Sequence, residues 1–257
     1  MVVFPGNSAL PPLLALVTSG IVLGMLLKVY WLVPLAAAGV AAGAMRWAWS
    51  LGSTRSEGPV EVGQGLRLPL ASEVAEPPGW WGSLFLLLAD AVLFGSLLFG
   101  YAFLWTVAPN WPPPAWVAPG LWGPLLLAAG ALLAPAGIRL AERGLRRKGG
   151  PWIGLLLTAA GMVALLLAAV TVMRASNPTA HAYDATLWAL AGYVILHAGV
   201  AGLMTLHVAA RMAAGFVTAE RIGEARILRL WTDYAAVTAL LALGAAWLPG
   251  ISAGGIA

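Results

Sequence analysis

The sequence predicts an all-α membrane protein with seven transmembrane helices, arranged as a two-helix hairpin and a five-helix bundle. Apolar residues make up 61% of the 257-residue chain and charged residues only 9%, whereas soluble domains have roughly 45–50% and about 25%. With so few polar residues the chain cannot cover a soluble fold, so its solvent must be lipid. The apolar residues concentrate in seven segments: 12–28, 31–49, 82–106, 121–141, 152–173, 185–210 and 230–249.

Each segment is long enough to cross a bilayer, the first only barely, because a transmembrane helix needs about 17–25 apolar residues. In lipid the backbone must satisfy its own hydrogen bonds, so every span must be helical. The first segment could also be a secretory signal peptide. Against that, no basic region precedes it, and Lys28 follows the apolar run.

The polar residues divide the chain into three parts. Residues 1–50 form the predicted transmembrane hairpin, with a sharp turn at Tyr30-Trp31 between its two helices. Residues 51–79 form the only long polar stretch, which we interpret as a cytoplasmic linker. Residues 80–257 form the predicted five-helix bundle.

The basic residues predict the orientation of the chain in the membrane. Twelve of the fourteen lie in or beside the loops after segments two, four and six: Arg46, Arg55, Arg67, Arg139, Arg143, Arg146, Arg147, Lys148, Arg211, Arg221, Arg226 and Arg229. Only Lys28 and Arg174 lie on the other side. The positive-inside rule therefore predicts a cytoplasmic N-terminus and an outside C-terminus. The net charge of +4 indicates contact with anionic lipid headgroups and not with nucleic acid.

The residue types argue against a redox cofactor in this chain. It has no cysteine and only three histidines. His197 and His207 share one predicted helix at positions about 15 Å apart along its axis, and His181 lies in an outer loop. Two imidazoles therefore cannot face each other across a haem, and a haem–copper centre needs more of them. We expect no metal, no cofactor and no catalytic residue here, and we find no internal repeat typical of an inverted-repeat transporter.

Asp90 is the deepest charged residue of the predicted spans. It lies nine residues beyond Trp81, or about 13 Å along the helix. A carboxylate at such depth costs about 2.5–3.5 kcal/mol on insertion scales. Asp90 should therefore face protein or be protonated. Two interpretations stay open: a proton-linked or interface-locking carboxyl, and a neutral acid hydrogen-bonded inside the bundle.

Three other polar residues are candidates for a role inside the membrane. Asp233 follows Arg229 by four residues, a spacing that predicts an ion pair within one helix. His207 is either an interfacial polar residue or part of a surface that collects protons. His197 lies deeper and is either a hydrogen-bonded structural imidazole or a functional one.

Several stretches together resemble cytochrome c oxidase subunit III. Residues 80–105 read WWGSLFLLLADAVLFGSLLFGYAFLW and are similar to that family's helix three, WG-x-F-L-x(2)-SE-x(2)-FF-x(4)-F-x-AYF. Asp90 falls on the family's intramembrane glutamate. Residues 196–202 resemble HG-x-HV-x(2)-G of helix six, with His197 on the second histidine and Val194 on the first. Residues 215–221 resemble the F-T-x(2)-H/R loop, and Trp231 falls on the tryptophan of WHFVD.

The chain also departs from the family pattern. Asp90 is one methylene shorter than glutamate. Thr232 stands where the family has the histidine of WHFVD, and Ala235 stands at its aspartate position. Asp233 is displaced by two residues, so the family's aspartate role is not transferred to it. The resemblance covers about residues 80–249, and residues 1–50 fit by hydropathy alone.

The resemblance implies a non-catalytic subunit of a haem–copper terminal oxidase in a bacterial plasma membrane. The partners would be catalytic subunit I and subunit II, and haem and copper would lie in the partner. The last five helices would pack on subunit I. The first two would splay into a V-shaped cleft for phospholipids, which is a suggested oxygen route. The chain would stabilise the catalytic subunit and support proton uptake in aerobic respiration.

Two other functions remain open from the sequence. One is the accessory subunit of a quinol oxidase or nitric oxide reductase. Quinol-oxidase forms usually resemble the family without its first two helices, so the hairpin at 1–50 argues mildly against this alternative. The other is an independent transporter or channel, which would need a polar pathway through the membrane. One deep carboxyl and one histidine are few residues for such a pathway.

Overall fold

The computed structural model describes residues 9–50, 59–69, 76–114, 116–118, 120–147 and 149–247. Within them the prediction of an all-α fold is confirmed, apart from one short β-hairpin. The helices are α1 (Leu10–Leu26), α2 (Leu32–Ser50), α3 (Pro78–Val107), α4 (Trp122–Arg146), α5 (Trp152–Ala175), α6 (Ala182–Ala213) and α7 (Gly223–Gly244). The strands are β1 (Pro59–Glu61) and β2 (Arg67–Pro69). Residues 51–58 and 70–75 of the predicted linker lie outside the described residues.

The helices identify a multi-pass membrane protein. In the described part of the chain, the six helices α2 to α7 are long and apolar enough to cross a membrane. Helix α1 is apolar but has only 17 residues, or about 25 Å of length. The crossing by α1, and with it the seven-span arrangement, stays a prediction.

The chain divides into two compact units, Met1–Arg55 and Ser56–Ala257. The first unit contains α1 and α2, joined by a tight turn in which Lys28 adopts a left-handed conformation with φ 58°. The two helices approach closely: a Cβ added at Gly24 would lie 3.1 Å from the Val33 side chain.

In the second unit, α4 and α5 pack with their backbones in near contact. Glycines recur at every seventh position of α4, at 123, 130, 137 and 144. A Cβ added at Gly137 would lie 2.5 Å from the backbone nitrogen of Thr158, and one added at Gly154 would meet the backbone nitrogen of Ala141. Small residues at such spacing let transmembrane helices approach closely. This glycine stripe was not among the features predicted from the sequence.

Helix α7 begins at Gly223, seven residues before the predicted segment at 230–249. The prediction began the helix too late because the first two turns of α7 are polar. Its first two turns include Glu224, Arg226 and Arg229, which lower the local hydropathy but do not prevent a helix. In these turns, Glu224 forms an ion pair with a residue of α6, and Arg229 forms one with a residue of α4.

Helix α3 packs against α6 and α7 through a narrow stripe. Its buried residues are Leu87, Phe94 and Tyr101, which are seven residues apart and therefore lie on one face. Val92 and Phe99 are each 71% exposed on other faces. Asp90 lies between Leu87 and Phe94 on the packed face, so α3 directs this acid toward the bundle.

Candidate functional site

Four polar side chains from three helices meet around one carboxylate oxygen. Asp90 comes from α3, Tyr193 and His197 from α6, and Tyr234 from α7. Nε2 of His197 lies 3.0 Å from Oδ2 of Asp90. The Tyr234 hydroxyl donates to the same oxygen at 2.7 Å, and the Tyr193 hydroxyl also donates to it. We call these four residues the Asp90 cluster.

Helix spacing and ring stacking hold the cluster in place. Tyr193 and His197 are four residues apart, so they lie on the same face of α6. The ring of Phe94 stacks on Tyr193 at 4.9 Å between centroids. The ring of Trp231 lies nearly parallel to His197 at 6.5 Å and an interplanar angle of 21°. Both aromatic rings thus pack against side chains of the cluster.

The cluster lies near the middle of its helices. Asp90 is about 18 Å from the first residue of α3, and His197 is about 22 Å from the start of α6 and about 24 Å from its end, at 1.5 Å per residue. The Asp90 side chain is 23% exposed and that of His197 only 6%. The carboxyl therefore faces protein partners at a depth where lipid could not hydrogen-bond to it.

The contacts restrict where the protons of the cluster can be. Nδ1 of His197 lies 2.9 Å from the backbone oxygen of Tyr193. That carbonyl can only accept, so Nδ1 carries a proton. One further proton is then shared between Nε2 of His197 and the carboxyl of Asp90. A neutral acid beside a neutral imidazole and a carboxylate beside an imidazolium have the same net charge, so a proton can shift between them without charging the bundle.

The two tyrosines supply hydrogen bonds to the carboxyl of Asp90. The two hydroxyls are 2.6 Å apart, and both point at the same oxygen of Asp90. Hydrogen bonds to the charged form stabilise it. The cluster can therefore tie three helices together through one polar centre, and it can hold one proton in the membrane interior.

The predicted ion pair between Arg229 and Asp233 within α7 was wrong. Asp233 is bound by both terminal nitrogens of Arg139, at 2.7 and 2.8 Å. Arg229 pairs with Glu142 at 3.1 Å. Both pairs join α7 to α4. The spacing of four residues was compatible with a local pair, but it carried no information about the charges that α4 presents to α7.

Asp233 does not belong to the Asp90 cluster, although it precedes Tyr234. Successive residues point about 100° apart around a helix, so Asp233 faces α4 while Tyr234 faces Asp90. His207 is likewise separate. It lies ten residues beyond His197 on α6, or about 15 Å further along the axis.

A second polar contact fixes the connection between α6 and α7. Arg211 is 2% exposed. Its Nε lies 2.7 Å from one oxygen of Glu224, and its NH2 lies 2.7 Å from the other. The guanidinium also lies 4.7 Å from the ring centre of Phe216. The end of α6, the loop and the start of α7 are thus held as one piece.

Sequence reasoning identified Asp90 and His197 but missed Tyr193 and Tyr234. A signal for both was present. Tyr193 is one turn before His197, and Tyr234 is one turn after Trp231, so each shares a helix face with a residue of interest.

The described residues contain no group of three or more His, Asp or Glu side chains that could hold a metal ion. No family model matches the chain, and no curated protein matches it.

Proposed function

We propose that this chain is a non-catalytic membrane subunit of a haem–copper terminal oxidase, similar to cytochrome c oxidase subunit III. The observation that supports this most is the contact between residues that the resemblance singled out separately. Asp90, His197 and Trp231 come from three distant motifs. His197 lies 3.0 Å from Asp90 and stacks against Trp231.

The chemistry of the polar groups supports the same proposal. Polar side chains of the helices contact each other: Asp90 with His197 and two tyrosines, and Asp233 with Arg139. Their carboxylate, phenol, imidazole and guanidinium groups hold protons and join helices. These are the properties expected of a supporting subunit.

In this proposal the chain lies in a bacterial plasma membrane with its N-terminus in the cytoplasm. It contacts subunits I and II, binds phospholipid, and leaves haem and copper to its partner. It stabilises the catalytic subunit and supports proton uptake and oxygen access. The large exposed apolar residues of α3, such as Val92 and Phe99, offer surface for a partner helix or lipid.

Purification through a tag on this chain tests the proposal. Membranes of the source organism are solubilised in mild detergent, and the eluate is examined by visible absorption and mass spectrometry. We expect this chain to co-elute with a haem-containing catalytic subunit. A haem-free homo-oligomer would contradict the proposal and favour a transporter. Turnover of the complex with reduced cytochrome c, with quinol or with nitric oxide separates the cytochrome c oxidase from the related assemblies.

A further inference from the structure

The segment between α2 and α3 contains a β-hairpin with two chemically different faces. Strands β1 and β2 pair antiparallel, with Val60 opposite Leu68 and Glu61 opposite Arg67. The pairing continues toward the turn, where the Val62 amide donates to the Leu66 carbonyl at 2.9 Å. Three residues with positive φ close the turn: Gly63 at 113°, Gln64 at 53° and Gly65 at 78°.

One face of this hairpin is entirely apolar. Side chains alternate between the two faces of a strand pair, so Val60, Val62, Leu66 and Leu68 share one face, and Glu61 and Arg67 share the other. The four aliphatic residues are 42%, 60%, 56% and 48% exposed, in that order. All four are thus exposed in the described part of the chain. We call these four residues the hairpin apolar face.

An uncovered face of this kind is unstable in water. An isolated two-stranded hairpin is marginally stable at best, and it needs a hydrophobic face packed against something else. A contiguous exposed apolar patch is typical of a surface that contacts a protein or a membrane. The hairpin therefore needs a cover from outside the described part of this chain.

The chain connections favour the bilayer surface as the contact that covers the hairpin apolar face. Residues 51–58 join the hairpin to the end of α2, and residues 70–77 join it to the start of α3. Either connection spans at most about 30 Å when fully extended. Both helices have the length and apolarity of membrane spans. The hairpin is thus tethered twice, within reach of the bilayer surface, where lipid is always present at high local concentration.

The charge of the hairpin fits a membrane contact driven by apolar burial. Its two charged residues, Glu61 and Arg67, have opposite sign and lie on the face away from the hairpin apolar face. The hairpin is therefore uncharged overall and has no electrostatic preference for anionic lipid. Its backbone edges would stay at headgroup depth, where water can satisfy them.

We propose that hairpin 59–69 is a membrane-surface anchor of the linker. The hairpin apolar face inserts among the lipid headgroups and upper acyl chains, and Glu61 and Arg67 face water. The anchor fixes the segment between α2 and α3 against the bilayer. This inference does not depend on the oxidase proposal.

The natural absence of cysteine permits a direct test in the full chain. Single-cysteine variants Val62→Cys and Leu68→Cys on the apolar face, with Glu61→Cys and Arg67→Cys as matched controls, are labelled with an environment-sensitive fluorophore. Each is reconstituted into zwitterionic lipid nanodiscs, with and without lipids carrying a nitroxide near the headgroup. We expect blue-shifted emission and several-fold stronger quenching at the two apolar-face positions, unchanged at high salt.

Two outcomes would overturn the proposal. Equal quenching and equal water exposure on both faces, at both pairs of positions, would show that the hairpin does not lie on the membrane. Apolar-face labels that are shielded from water but not quenched by nitroxide lipids would show that a protein partner or a second copy covers this face. Two independent apolar-face positions guard against the loss of the hairpin by one substitution.

Discussion

Nε2 of His197 lies 3.0 Å from Oδ2 of Asp90 and joins α3 to α6 near the middle of the bundle. Beside the cluster, α3 is tied to the bundle by the Tyr101 hydroxyl, which donates to the Ala245 carbonyl at 2.8 Å, and by the apolar packing of Leu87 and Phe94. Apolar packing between membrane helices has little hydrophobic driving force, because lipid tails are equally apolar. The Asp90 cluster therefore has a large share in holding α3 at this place.

Asp90→Asn should keep the assembly, and Asp90→Leu should impair it. An amide retains the size of the side chain, and its oxygen at the position of Oδ2 still accepts from the tyrosine hydroxyls. Leucine leaves the polar groups of Tyr193, His197 and Tyr234 without their acceptor, at about 1–3 kcal/mol for each unsatisfied group. Thermal unfolding of the two variants in detergent measures the difference.

The same Asp90→Asn variant distinguishes a structural role from a proton-transfer role. We expect the intact complex to keep most of its turnover and the pH dependence of the unmodified complex, because the cluster mainly ties helices together. An intact Asp90→Asn complex with strongly altered pH-dependent turnover would instead show that Asp90 handles protons during the reaction.

Tyr193→Phe and Tyr234→Phe should each destabilise the bundle by about 1 kcal/mol, since each removes one hydrogen bond but leaves Asp90 another donor. Combining either change with Asp90→Asn should cost less than the sum of the single changes, because contacting residues couple. Double-mutant cycles from unfolding midpoints measure this coupling. Strict additivity would contradict the described contacts.

The ion pair between Arg139 and Asp233 predicts that removing one of the two charges destabilises the protein more than removing both. Asp233→Asn leaves Arg139 without its carboxylate near the C-terminal end of α4, which should cost about 1 kcal/mol because both side chains are partly exposed. The double variant Arg139→Gln, Asp233→Asn carries no charge and should be more stable than Asp233→Asn alone. Arg174→Gln on the exposed end of α5 is the matched control and should change stability by less than about 0.5 kcal/mol. A double variant no more stable than the single one would argue against the pair.

The close packing of α4 on α5 predicts that a glycine-to-alanine substitution destabilises the protein at Gly137 but not at Gly192. Gly137→Ala places a Cβ 2.5 Å from the backbone of α5, and such overpacking should cost about 1–3 kcal/mol. At Gly192 of α6 nothing lies within 4 Å of an added Cβ. Gly192→Ala should therefore be neutral or stabilising, because alanine suits a helix interior better than glycine. Unfolding temperatures of the two variants measure these effects on stability.

The sequence predicted features that depend on local composition. It did not predict which side chains of distant helices contact each other. Apolar content and length located the seven helices, and the depth of Asp90 marked it as a residue that needs partners. The partners themselves, Tyr193 and Tyr234, come from other helices. Asp233 received the wrong partner for the same reason, since Arg139 lies on α4. The charges at the start of α7 hid its first turns, because hydropathy measures solvent preference and not helix formation.

In our proposal this chain supports a haem-bearing catalytic subunit without taking part in electron transfer. Selective removal of the chain from the purified complex tests it most directly. We expect all haem and the oxygen-reducing activity to stay with the remaining core, the unfolding temperature of that core to fall, and readdition of the chain to restore it. Haem that leaves with this chain, or a core whose stability is unchanged by its removal, would contradict the account.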